Sequence, residues 1–124
     1  AKNPIESTQD LSNTVLKAIP HGQHQKIHPA TRTFQAFRIA VNRELEALEV
    51  TLDKSINYLK NGSRLCVIAF HSLEDKIVKE KFKLFSKEGK IKLITKKPLR
   101  PCMEEIHNNP RARSARLRVA ERIK

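Results

Sequence analysis

The stretch Leu65-Cys66-Val67-Ile68-Ala69-Phe70 runs straight into His71-Ser72-Leu73-Glu74-Asp75. An apolar run of this length without a polar interruption predicts a strand, and continuous rather than alternating apolarity predicts burial on both faces, as in a central parallel strand. Cys66, inside that run, reads as a small buried hydrophobe. Ser72 and Asp75 have the spacing of a helix-capping pair, and Leu73, Ile77, Phe82 and Phe85 carry a helical stripe to about residue 86. Helix, strand and helix in succession are the units of a doubly wound α/β sheet.

The helix before the strand is written over residues 31–60, where Phe34, Phe37, Val41, Leu45, Leu48, Leu52, Ile56 and Leu59 recur at helical spacings. Asn61-Gly62 stops it, and a segment this long leaves room for a kink or a break near Asn42. A shorter helix is predicted over 7–19, capped by Ser7 with Asp10 and ended by Pro20, and 21–29 form a polar loop. Downstream, 91–95 read as a short strand, a basic loop follows with Pro98 and Pro101, and a helical turn is expected near 103–107. From 114 to 123 the chain alternates, with Ala115, Leu117 and Val119 on one face and Arg116, Arg118 and Arg122 on the other. That predicts a half-exposed strand. The last two strands, joined by a long loop, predict an antiparallel hairpin closing the sheet's edge.

A chain of 124 residues, 39% hydrophobic and without Trp, can build one modest core from Leu, Ile and Val. Its net charge of +12 points to a polyanionic partner. The charge is concentrated: residues 1–75 hold nine Lys/Arg against eight Asp/Glu, whereas 76–124 hold sixteen against five. Such asymmetry predicts one basic face. Three glycines, Gly22, Gly62 and Gly89, stand singly, which argues against a complete nucleotide-binding domain with its clustered-glycine turn. Cys66 and Cys102 lie far apart with no further ligand-type pair near either, so neither a disulfide framework nor a zinc site is expected. His21, His24 and His28 lack Cys or acidic companions and read as exposed loop residues, not metal ligands. The first ten residues do not form a signal peptide and no apolar run is long enough to span a membrane; a cytoplasmic protein is expected.

Three blocks carry more than pattern: HPATRTFQAFRIAVNRELEALE from His28, GSRLCVIAFHSLEDKIVK from Gly62, and NPRARSARLRVAER from Asn109. Together, in order and over nearly the whole chain, they resemble the signature blocks of the MraW/RsmH family, bacterial methyltransferases acting on N4 of a cytidine in the decoding region of 16S rRNA. The resemblance implies a class I, Rossmann-like methyltransferase sheet with a helical domain inserted into it, of which residues 1–28 would be the end of the insert and a linker. Residues 29–124 would be the C-terminal part of the methyltransferase domain, ending in the antiparallel hairpin. It also implies S-adenosylmethionine as cofactor and the small ribosomal subunit as partner. The family's cofactor motifs fall before Ala1, so no cofactor-binding residue is expected in this chain, which alone should be inactive. Cys102 stands where the family usually has a helix-capping Ser, and sulfur is the weaker acceptor.

In doubly wound sheets the ligand crevice lies beyond the carboxyl ends of the strands. His71 and Ser72 follow such an end and are candidates for lining the target-base pocket; equally, Ser72 could serve only as a helix cap. Arg32, Arg38, Arg111, Arg113 and Arg116 are candidates for phosphate contacts, since guanidinium matches phosphate oxygens bidentately. For Arg32 and Arg38 the competing reading is a salt bridge with the inserted domain. A rival function from another class is a stand-alone basic RNA-binding module associated with the ribosome. A buried strand lacking its neighbours would also expose apolar surface, which favours homo-oligomerisation or partial disorder.

Overall fold

The computed structural model describes residues 4–19 and 27–123. The chain divides into two compact units, Ala1–Glu44 and Leu45–Lys124. No helix among the described residues is long and apolar enough to cross a membrane.

In the first unit, α1 (Thr8–Ala18) starts with a capping box, in which Ser7 Oγ accepts from the Asp10 N–H at 3.1 Å and Asp10 accepts from the Ser7 N–H at 3.0 Å. The predicted Pro20 stop lies outside the described residues, as do His21 and His24. Helix α2 (Thr31–Asn42) ends at Arg43, whose φ of 50° is left-handed, and α3 (Glu44–Tyr58) begins at the next residue. The long periodic segment is therefore two helices, broken one residue beyond Asn42.

The second unit takes in α3 from Leu45 onward, then β1 (Arg64–Ala69), α4 (Ser72–Lys87), β2 (Ile91–Leu93), α5 (Met103–Asn108), a 3-10 turn at Pro110–Ser114, and β3 (Arg116–Arg122). The sheet order is β1-β3-β2, and both pairings are antiparallel. The parallel neighbour expected for β1 is not among the described residues. The only partner of β1 among them is β3, from Arg64 opposite Glu121 to Ala69 opposite Arg116. The expected hairpin between the last two strands is present, but β3 lies in the middle of this sheet and β2 at its edge. β2 is shorter than predicted because Ile94 and Thr95 both donate to the Val119 carbonyl, while the Val119 N–H turns to Thr95 Oγ1 at 2.9 Å.

One face of the sheet is covered by two helices. Leu52 and Ile56 of α3, Val78, Phe82 and Phe85 of α4, Ile91 of β2 and Ala120 of β3 form one core, with Leu65, Val67 and Leu93 partly buried against it. Lys81 reaches from α4 to Asp53 of α3 at 2.7 Å. The opposite face stays open along β1: Ile68 is 56% exposed, and Cys66 is exposed rather than buried as its apolar neighbours suggest. An unbroken apolar run fixes the strand; it does not say what covers the second face.

The alternation of β3 is also reversed. Ala120 is 0% exposed and fixes the parity, so Arg116, Arg118 and Arg122 share the helix-covered face, while Leu117 and Val119 lie on the other and are only half-buried. Arg118, expected on an exposed face, is buried.

Helix α4 ends in a left-handed cap. Gly89 has φ 68°, its N–H donates to the Ser86 carbonyl, and the Lys90 N–H reaches back to that of Phe85 at 2.9 Å. A Cβ at Gly89 would meet nothing within 4 Å, so only backbone strain opposes a side chain there. In equilibrium urea unfolding, Gly89→Ala is expected to cost about 1 kcal/mol and Phe82→Ala roughly 3–5 kcal/mol, both as lower midpoints at unchanged slope.

Candidate functional site

The carboxyl end of β1 leads through Phe70 into the first turn of α4, and the carboxylates of that turn hold the junction. His71, not Ser72, is the N-cap: its Nδ1 accepts from the Glu74 N–H at 3.3 Å. Glu74 Oε2 in return accepts from the N–H groups of Phe70 at 2.8 Å and His71 at 3.2 Å. The predicted capping pair is thus shifted by one residue. Imidazole can accept through Nδ1 as a hydroxyl can, and the longer Glu side chain reaches two backbone donors where an Asp would reach one. Because Nδ1 accepts, the neutral ring carries its proton on Nε2. That nitrogen is buried without a hydrogen-bond partner, 3.5 Å from Glu74 Oε1. Ser72 becomes the first helical residue, with its side chain exposed and not used in the cap.

The shift leaves Asp75 for another task. Arg118 binds it bidentately, Nε to Oδ1 at 2.7 Å and Nη2 to Oδ2 at 3.2 Å, and Arg116 Nη1 adds a third bond to Oδ2 at 3.3 Å. The hydrogen bond from Arg118 is the main reason the Asp75 carboxyl sits below its usual value, with the charges of both arginines adding to it against the cost of burial. One carboxylate faces two guanidinium groups, so the cluster carries residual positive charge at the end of β1. Sequence reading missed this cluster. Its signal was the single Asp following the strand together with arginines at alternate positions of β3, a pattern that reads first as solvent-facing.

The other candidates are placed as follows. Arg111 and Arg113 stand on the 3-10 turn, both exposed, on either side of buried Ala112, and neither is in an ion pair among the described residues. Arg116 is half-buried and already engaged by Asp75. In the first unit, Arg32 is exposed, and Arg38 pairs bidentately with Glu44 at 2.8 and 3.1 Å. Arg38 also lines a cleft of about 570 Å³ with His28, Thr31, Phe34 and Gln35. His28 Nδ1 accepts from the Ala30 N–H at 3.2 Å, a local turn bond. Cys102 does cap α5, its sulfur accepting from the Glu105 N–H at 3.4 Å.

Breaking a buried ion pair strands the charge that remains, so Asp75→Asn is expected to destabilise the protein by about 3–5 kcal/mol at neutral pH. A folded-state carboxyl value below the unfolded one stabilises fully above the unfolded value, about 3.9, and that contribution fades as pH falls through the folded value. The gap between parent and variant should therefore stay level above about pH 5 and narrow in increasingly acidic buffer. Urea midpoints across a pH series measure it, and a gap that widens in acid contradicts the ion-pair account.

Comparison with known proteins places the chain in a family. The model of the MraW methylase family matches residues 1–123. A curated relative from Caldicellulosiruptor bescii, a ribosomal RNA small subunit methyltransferase H, is 45% identical over 99% of this chain and 45% of its own length. Proteins of the same name are 52% identical in Coprothermobacter proteolyticus, over 94% of this chain and 38% of the relative, and 48% identical in Synechococcus elongatus, over 98% and 40%. The chain spans less than half the length of the curated relatives it matches. By the family match and by these identities, the chain belongs to the MraW methylase family.

Proposed function

We propose that this chain is part of an S-adenosylmethionine-dependent enzyme that methylates N4 of a cytidine in the decoding region of 16S rRNA, acting in the cytoplasm on the small ribosomal subunit. The observation that carries the reading is the 45–52% identity, over nearly the whole chain, to relatives named as small-subunit rRNA methyltransferases. In this reading residues 1–28 close an inserted helical domain, and 29–124 supply the C-terminal strands and helices of a class I methyltransferase sheet.

The chemistry asks for positioning. The exocyclic nitrogen of cytosine is a weak nucleophile because its lone pair is delocalised into the ring, so the base must leave its stack and present the nitrogen in line with the methyl group. Neither carboxylate of the α4 first turn is free to act as a base: Glu74 is held by two backbone donors and Asp75 by two arginines. Ser72 is the exposed polar side chain at the strand end, and we assign it to hydrogen-bonding the target base. His71 holds the loop from beneath as its cap. Arg111 and Arg113, exposed and in no ion pair among the described residues, contact RNA phosphates, whereas Arg116 is engaged by Asp75.

S-adenosylmethionine supplies the methyl group in this family's chemistry. The described glycines do not fit a cradle for it: Gly62 forms the turn before β1, with φ 81°, and Gly89 caps α4. The chain alone is expected to show no saturable S-adenosylmethionine binding in calorimetry.

Two further outcomes test the assignment in the intact enzyme. Ser72→Ala should lower kcat/KM by about tenfold, the worth of one hydrogen bond to the substrate, with RNA affinity unchanged. Arg111→Ala with Arg113→Ala should weaken binding to a 16S rRNA fragment and reduce the slope of log affinity against log salt by about 1.4–1.8. An unchanged slope removes the phosphate role of these two residues.

A further inference from the structure

Helix α4 carries lysines at positions 76, 79, 81, 83 and 87. The carboxylates within or next to the helix all have other tasks. Glu74 caps the helix, Asp75 holds Arg116 and Arg118, Glu80 pairs with Lys76, and Glu88 pairs with Lys90. Lys81 pairs with Asp53. Lys79, Lys83 and Lys87 remain, all exposed, and none is in an ion pair among the described residues.

These three are not scattered. Successive spacings of four residues place them on one ridge of the helix, with a rise of about 6 Å between neighbours. Like charges at that spacing destabilise a helix, and the acidic residues within one turn of them, Asp75 and Glu80, are engaged by Arg118 and Lys76. Val78, Phe82 and Phe85 of the same helix are buried in the core, which gives the exposed ridge a rigid support. The helix also begins at the strand end occupied by His71 and Ser72, so the ridge runs from there toward Lys87.

We propose that Lys79, Lys83 and Lys87 form a second contact line for the phosphate backbone of the RNA substrate, separate from Arg111 and Arg113. The proposal rests on the rRNA reading above and adds a surface to it. Lysine suits this role as a mobile point charge that positions a backbone without reading its sequence.

The test compares variants of the intact enzyme for binding to a 16S rRNA decoding-region fragment over a salt series. Replacing the three ridge lysines by Gln should lower the salt slope by about 2–3, with the urea midpoint unchanged or raised because the repulsion is relieved. Replacing them by Arg should keep the slope. A charge-matched control, with paired Lys76, Lys81 and Lys90 changed to Gln, should change the slope much less. An unaltered slope in the ridge variant overturns the proposal, as does an equal loss in the control, which would show an effect of net charge alone. If the Arg111 and Arg113 variant loses slope while the ridge variant does not, the ridge fails and the rRNA reading stands. If the parent enzyme does not bind the fragment, both fall.

Discussion

A single carboxylate, Asp75, ties the start of α4 to the middle strand of the sheet through Arg118 and Arg116. Two buried charges in contact are costly to desolvate and of uncertain net benefit, but removing one partner is strongly unfavourable. The arrangement therefore enforces position more than it adds stability. It holds the first turn of α4 against β3, and with it the loop through Phe70 to Ser72 that emerges from β1. Glu74 completes the constraint from the same turn by accepting two backbone N–H groups. The loop that carries the exposed serine is thus held from both sides by adjacent carboxylates with different tasks.

Rigidity of this kind suits a reaction limited by alignment. A class of chemistry in which the nucleophile is weak and the methyl transfer needs a straight approach gains most from side chains whose rotamers are already fixed. The charged groups divide accordingly. Arg116 and Arg118 serve the architecture, whereas Arg111, Arg113, Lys79, Lys83 and Lys87 are exposed and in no ion pair among the described residues, as the proposed contacts with a polyanion require.

Much of this was legible in the residues, and the failures have physical causes. Ser7 with Asp10 gave the first cap, and the periodic segment over 31–60 gave two helices with the break within a residue of its expected place. Those signals are local, and local energetics decide them. The capping pair at α4 was misplaced by one residue because Ser72 and Asp75 have the right spacing, but His71 and Glu74 form the bonds and Asp75 is claimed by a partner 43 residues away. The faces of β3 were inverted because arginine is usually solvated; here a buried acid on another element supplies what water would. Continuous apolarity in β1 reports burial but not the direction of a neighbour, and its one partner among the described residues, β3, is antiparallel. The candidate loop at the strand end was legible as a place; the roles of its individual side chains depended on partners distant in sequence.

The strand order β1-β3-β2 has a consequence for how the polypeptide acquires this shape. β1 and β2 do not pair with each other; both wait for β3, the last of the three in chain order. The ladder joins residues as far apart as Arg64 and Glu121, 57 positions along the chain, so loop closure must precede most of the hydrogen bonding. During synthesis α3 and α4 can form as each emerges, but the sheet whose one face they cover cannot pair its strands until Arg122 is available. Folding of this unit is therefore a late and non-local event, slow for its size, and sensitive to any truncation that trims the central strand.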